Sequence, residues 1–211
     1  MRRARVLLAD DHEICCAGFK KLLEPDYEVL GCVGDGRTLL KAAQEFKPDV
    51  VVVDIGMPLL NGLDAGREVK RLLPHTKLIF LTMNPDSELA AEALRIGASA
   101  YLLKTSRASE LPKAIEDALK GISYITPRVR RAMREKFIHD PEGAPRQLTD
   151  RQREVLQLLA EGKSMKEIAD ILQVTHRTVC FHKYRIMEEL GITTNAEVVQ
   201  YAMRHGMISS I

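Results

Sequence analysis

Four short apolar runs in the first half of this chain, each with a polar residue just past its end, leave few folds open. They are Val6-Leu7-Leu8, Val50-Val51-Val52-Val53, Leu78-Ile79-Phe80-Leu81 and Tyr101-Leu102-Leu103. Runs this apolar and this rich in β-branched residues read as strands covered on both faces, the mark of a parallel sheet between two layers of helix. Just past them stand Asp10, Asp11, Asp54, Thr82 and Lys104. The C-terminal strand ends of such a sheet converge on one edge, where ligands and chemistry sit, so these side chains are expected in one pocket. Clustered carboxylates repel one another unless a hard divalent cation such as Mg2+ draws them together through oxygen ligands. Asp54 is then free to attack a phosphoryl group and carry it as an aspartyl phosphate, with the metal and Lys104 neutralising the transferring oxygens.

The segments between the runs read as helices. Apolar periods and stop signals place them after Asp11 through Leu23, from Leu39 to Phe46 before Pro48, from about Leu63 to Leu73 before Pro74, from Ser87 to Ile96 before Gly97, and from Glu110 to Lys120 before Gly121. With Tyr27 to Val33 as a further strand, five strand-helix units joined by short connections predict an α/β doubly wound, five-stranded parallel sheet.

The motifs "LLADDHEICCAGFKKLL", "PDVVVVDIGMPLLNGLDA", "LIFLTMNP" and "GASAYLLKTS" follow one another across roughly the first 120 residues. In that order they resemble the receiver domains of two-component response regulators, and the resemblance implies the flavodoxin-like (CheY-like) strand order. The resemblance implies that Asp54 is the phosphoacceptor and that Asp10, Asp11, Asp54 and the backbone carbonyl of Gly56 bind Mg2+. It implies that Thr82 and Lys104 contact phosphoryl oxygens, and that Tyr101 stands where many receivers carry an aromatic switch residue, packing alone being the other reading. Pro58 and Gly62 match the loop pattern after the phosphoacceptor. His12 reads as a surface-turn histidine, since the family phosphorylates aspartate and a histidine partner comes from another protein.

At 211 residues two domains with separate cores are expected. No apolar run is long enough to cross a bilayer, and the basic N-terminus is followed too soon by Asp10-Asp11-His12-Glu13 for a signal peptide. A cytoplasmic bacterial protein with no membrane partner is the expectation. Cys15, Cys16, Cys32 and Cys180 show no CxxC spacing, so four reduced thiols are expected, with Cys16 as packing or neutral surface and redox sensing as the minority reading. Residues 1–121 form the expected receiver and residues 122–147 a linker, partly helical, with Pro and Gly punctuation from His139 to Pro145. From Arg128 onward 14 lysines and arginines face 11 aspartates and glutamates, a net +3, against −1 for residues 1–127.

Residues 148–211 read as all-α. Thr149/Gln152, Ser164/Glu167 and Thr194/Glu197 have capping-box spacing, and Gly162, Gly191 and Gly206 stand at helix stops. Four helices are expected, about Asp150 to Glu161, Met165 to Leu172, His176 to Leu190 and Asn195 to His205. The second and third are separated only by Gln173-Val174-Thr175, a helix-turn-helix spacing. "LTDRQREVLQLLAEGKSMKEIADILQVTHRTVCFHKYRIMEELGI" resembles the DNA-binding domain of the NarL/FixJ (LuxR-type) family. Val179, Ile186 and Leu190 form the inner stripe of the third helix. Arg177, Cys180, Phe181 and Tyr184 form the outer one, where Arg can read guanine and an aromatic edge a thymine methyl. Lys163, Lys166, Lys183 and Arg185 are phosphate-contact candidates. The base preference of a Cys-Phe-x-x-Tyr face does not carry over from the family, and packing of Phe181 and Tyr184 against a neighbour is the competing reading.

Together these features resemble a NarL/FixJ-type response regulator, a transcription factor and not an enzyme. Its implied partners are a sensor histidine kinase or small phosphodonor, double-stranded DNA, a second copy of the chain when phosphorylated, and RNA polymerase. A phosphohydrolase needs a second aspartate just after the nucleophile, which Ile55-Gly56 lacks. A constitutive DNA-binding or scaffold protein with a silent receiver runs against the intact Asp54, Thr82 and Lys104.

Overall fold

A computed structural model of the chain describes residues 2–139 and 148–208. The first unit alternates β1 (Arg5–Ala9), α1 (Glu13–Leu23), β2 (Glu28–Val33), α2 (Gly36–Phe46), β3 (Val50–Val53) and α3 (Gly62–Leu72). It continues through β4 (Lys77–Thr82), α4 (Ser87–Ile96), β5 (Ala100–Leu103), α5 (Glu110–Leu119), β6 (Tyr124–Ile125) and α6 (Pro127–His139). The strands pair parallel in the order β2-β1-β3-β4-β5-β6. Alternation along each strand sends side chains to opposite faces. Leu7, Val51, Val53, Leu78, Phe80 and Tyr101 pack under α2, α3 and α4, while Val6, Leu8, Val50, Val52, Ile79 and Leu102 pack under α1 and α5.

The sheet has one strand more than the five expected. Two residues, Tyr124 and Ile125, pair with β5, and α6 then packs on α4 and buries Val129 in the core of the first unit. A two-residue strand carries no periodicity to read, so this segment looks like the start of a connection in the sequence. The Pro- and Gly-punctuated part of that connection, residues 140–147, lies outside the described residues.

The second unit consists of α7 (Asp150–Ala160), α8 (Met165–Leu172), α9 (His176–Leu190) and α10 (Asn195–Arg204). All three capping boxes form: Thr149, Ser164 and Thr194 each accept from the N3 amide while Gln152, Glu167 and Glu197 reach back. Reciprocal caps satisfy amides that no intrahelical carbonyl reaches, which fixes where each helix begins. Val155, Leu158, Ile168, Leu172, Val179 and Ile186 share one core. Between α8 and α9 the chain turns through Gln173 at φ 54°, in the left-handed region, which makes the tight angle of the helix-turn-helix.

Candidate functional site

The strand ends bring the expected polar residues to one edge. Asp10 follows β1, Asp54 follows β3, Thr82 ends β4 and Lys104 follows β5. Asp10, Asp54 and Thr82 are buried, whereas Asp11 is on the surface. Lys104 Nζ lies 2.7 Å from Asp10 Oδ2 and 2.9 Å from Asp54 Oδ2, so one ammonium bridges two buried carboxylates. The other Asp54 oxygen accepts from the Ile55 amide at 2.8 Å. Burial raises the Asp54 carboxyl above its ordinary value, and Asp10 and Asp11 push the same way against Lys104. Burial pulls Lys104 down, but Asp54 and Asp10 outweigh it and hold the ammonium charged. The two directions agree physically, because a single positive charge divided between two carboxylates satisfies the lysine more than either acid.

That deficit of positive charge fits a divalent cation. Ligand atoms of Asp10, Asp11, His12 and Asp54 lie within 4.8 Å of one another, and the three carboxylates offer the hard oxygens Mg2+ prefers. His12 Nδ1 stands 3.2 Å from Asp10 Oδ1 and 2.8 Å from Asp11 Oδ1. His12 is surface-exposed as expected, yet it closes the acid cluster. Gly56 lies in the loop after Asp54.

Thr82 Oγ1 accepts from the Asn84 amide at 3.1 Å. Tyr101 is fully buried, its hydroxyl donating to Asn84 O at 3.1 Å, and burial, with Asp86 and Asp54 adding to it, raises its phenol far above the ordinary value. One residue, Asn84, therefore links the threonine and tyrosine expected to respond together. Burial also raises the Cys15 thiol, with Asp10 pushing the same way. The expectation of four reduced thiols is corrected at Cys16 and Cys32, which are joined as a disulfide. Their Cα atoms are 6.0 Å apart across α1 and β2, within bridging range, and a pairing across two elements leaves no spacing motif in the sequence.

The loop after Asp54 is held from the other unit. Gln157 of α7, buried completely, accepts from the Asn61 amide at 2.8 Å and donates to the Met57 carbonyl at 2.9 Å. Glu161 accepts from the Leu59 amide at 3.0 Å, and burial raises its carboxyl above the ordinary value. Arg153 pairs with Asp64 at 2.8 Å, and Arg37 with Glu154 at 2.8 Å. Leu59 sits at φ 64° and packs against the core of the second unit. A β-carbon in the left-handed region costs of order 1 to 3 kcal/mol and persists only where surroundings hold it. At the far end Gly206, φ 64°, lies against Leu89 and Ile55. None of this clamp is visible as a motif; a glutamine inside the apolar run Val155-Leu156-Gln157-Leu158 is its only trace.

In the second unit the inner stripe of α9 is as expected, with Val179 and Ile186 buried and Leu190 half-buried. On the outer stripe Arg177 is exposed, and Phe181 and Tyr184 are 60% and 73% exposed, so the two aromatics are not packed away. Arg185 stands 6.0 Å over the Phe181 ring. Cys180 is half covered, its Sγ 3.3 Å from Met165 Sδ and 3.5 Å from His176 Nδ1. Lys183 donates to Asn195 Oδ1 at 3.3 Å, Lys163 lies in the turn before α8, and Lys166 is exposed on its first turn. The clamp leaves this surface open.

Comparison with known proteins reaches the same two units. The family model for the response regulator receiver domain matches residues 6–116, and that for bacterial regulatory proteins of the luxR family matches residues 146–202. The chain is 37% identical over 209 residues to the transcriptional regulatory protein LiaR of Bacillus subtilis, covering 97% of this chain and 99% of LiaR. It is 35% identical over 211 residues to the transcriptional regulatory protein MctR of Rhizobium johnstonii, covering 99% and 97%. Among solved structures, RcsB of Salmonella enterica serovar Typhimurium, bound to the promoter rprA in the presence of phosphomimetic BeF3-, is similar with a TM-score of 0.63. Its identity is 28%, covering 94% of this chain and 98% of RcsB. With the acid pocket on a parallel sheet and the helix-turn-helix beside it, these matches establish that the chain belongs to the two-component response regulators with a receiver and a LuxR-type DNA-binding domain, which are transcription factors.

Proposed function

We propose that Asp54 accepts a phosphoryl group and that this releases the second domain for paired binding to DNA. The observation that carries the reading is the Lys104 ammonium, bonded at once to Asp54 and Asp10 at the floor of the acid pocket. A carboxylate oxygen of Asp54 attacks the phosphorus of a kinase phosphohistidine or of a small phosphodonor such as acetyl phosphate, and the bond to the departing group breaks. Mg2+, held by Asp10, Asp11, Asp54 and the Gly56 carbonyl, supplies positive charge to the phosphoryl oxygens when bound.

The added charge of about −1.5 to −2 competes for Lys104 and Thr82. Drawing Thr82 inward disturbs its bond to Asn84, and with it the Tyr101 hydroxyl that donates to the same residue. Movement of the Asp54–Asn61 loop strains the clamp, because the Leu59 and Asn61 amides bond Glu161 and Gln157. Relief of the Leu59 backbone favours release. The outer stripe of Arg177, Cys180, Phe181 and Tyr184 then reads base edges, while Lys163, Lys166, Lys183 and Arg185 hold phosphates. Two copies on two half-sites gain affinity and register together, which supports a phosphorylation-driven dimer. Contact with RNA polymerase and residence in the cytoplasm, where bacterial DNA lies, follow from the same reading; no helix among the described residues is long and apolar enough to cross a membrane.

Labelling by a phosphodonor in Mg2+ tests the assignment. The expected result is label on the wild type, none on Asp54→Asn and a strongly reduced yield on Asp11→Ala. Label that survives the Asp54 change overturns it.

A further inference from the structure

We propose that Cys16 and Cys32 form a reversible disulfide site that sets how readily the acid pocket accepts a phosphoryl group. The inference rests on the reading of Asp54 as phosphoacceptor. The two cysteines come from different elements, α1 and β2, 16 residues apart, and are bonded to each other. A protein that works on DNA in a bacterial cytoplasm meets thiols that keep such bonds reduced, so a bridge found there acts transiently.

Its position ties it to the pocket in three ways. Cys16 Sγ lies 3.4 Å from the Asp10 carbonyl oxygen, and only the reduced thiol has a hydrogen to donate to it. Cys32 precedes Val33, whose carbonyl accepts the Asp10 amide at 2.9 Å. Cys16 also lines, with Asp10, Asp54, Leu8, Phe19 and Val52, a small cavity beneath the phosphoacceptor. The bridge thus joins the two segments that fix the Asp10 backbone, one on each side. Oxidation pins the first turn of α1 to β2 with Asp10 turned toward Lys104 and His12, and leaves the carboxylates less free to regroup around an incoming ion and phosphoryl group.

The chemistry balances with a small-molecule disulfide such as glutathione disulfide as oxidant. One thiol sulfur attacks it and expels one molecule of glutathione; the second attacks the mixed disulfide and expels another. Two thiol hydrogens leave with the two glutathiones, and a thiol reductant reverses both steps.

The test uses the full chain, reduced with dithiothreitol or oxidised with glutathione disulfide, then freed of reagent. Peptide mapping after alkylation is expected to show the oxidised chain lighter by two hydrogens, Cys16 joined to Cys32, and Cys15 and Cys180 alkylated. Phosphorylation from acetyl phosphate in Mg2+ is expected to be slower by about twofold or more in the oxidised form, because small misplacements of reacting groups cost rate. Dithiothreitol should restore it. In Cys32→Ser and Cys32→Ala, the rate should no longer depend on redox treatment. Alkylation of both Cys16 and Cys32 after oxidation, a bridge through Cys15 or Cys180, or equal rates in the two forms overturns the proposal. A reduced chain that takes no label overturns the phosphoacceptor reading and the rate effect with it, whereas the mapping decides the bridge independently.

Discussion

Lys104 carries more of this pocket than its single charge suggests. Two buried carboxylates share it, so its removal leaves both without a cation until a metal arrives. In Lys104→Ala, phosphodonor label on Asp54 is therefore expected to persist in Mg2+, while the coupled response fails, since the oxygen contacts that reward the rearranged loop are gone. A Lys104→Ala chain that shifts its DNA affinity on phosphorylation as far as wild type contradicts that role. The pocket was legible because a strand end is legible: an apolar run followed by Asp10, Asp54, Thr82 or Lys104 locates the residue on a known edge of the sheet. Gln157 and the Cys16–Cys32 pair were not, because each acts through a partner far away in the chain, and local pattern holds no trace of that partner. Substituting Gln157 by Ala strands the Asn61 amide and the Met57 carbonyl, and is expected to weaken docking by about 1 to 3 kcal/mol. Hydrogen exchange at the Leu59 and Asn61 amides checks it; unchanged protection there refutes the role of Gln157.

Among the elements, α9 shows its two faces in the sequence. Capping boxes and glycine stops announced every helix of the second domain, and the 3.6-residue period separated the inner stripe of α9 from the outer one. Exposure of Phe181 and Tyr184 fits a reading surface. Arg177→Ala or Tyr184→Ala should cost roughly 1 to 3 kcal/mol on a specific site and spare a scrambled one. Lys183→Ala should weaken both alike and lower the salt slope by about one unit. Titrations on both DNAs at several salt concentrations separate the classes, and an unchanged specific-to-scrambled ratio for Arg177→Ala and Tyr184→Ala refutes the recognition face. At the end of α10, burial lowers the His205 imidazole below its ordinary 6.5 although Glu88 and Asp86 raise it. A lowered base favours the neutral ring, so its support for docking is full above that ordinary value and is lost as pH falls through the lowered one. Corrected for intrinsic rates, protection of the docked amides should decline on acidification below about pH 6.5, and His205→Asn should remove the step; an identical pH response in that variant contradicts it.

In the whole molecule a clamp built on the loop that follows Asp54 joins the acid pocket to the domain that carries α9. The extra strand β6 and helix α6 extend the sheet edge and cover α4, so the packing around the sheet continues past Gly121. The clamp holds α7 while leaving the outer face of α9 open, so the proposed control by phosphorylation would act on the pairing and placement of the second domain. DNA affinity of the wild type and of Asp54→Asn, each measured with and without acetyl phosphate and Mg2+, tests this most directly. Phosphorylation is expected to tighten wild-type binding by about tenfold, within the usual range of coupling between sites, and to leave Asp54→Asn unchanged. Equal tightening of the two proteins, or a wild type fully labelled on Asp54 with no change in affinity, would contradict it.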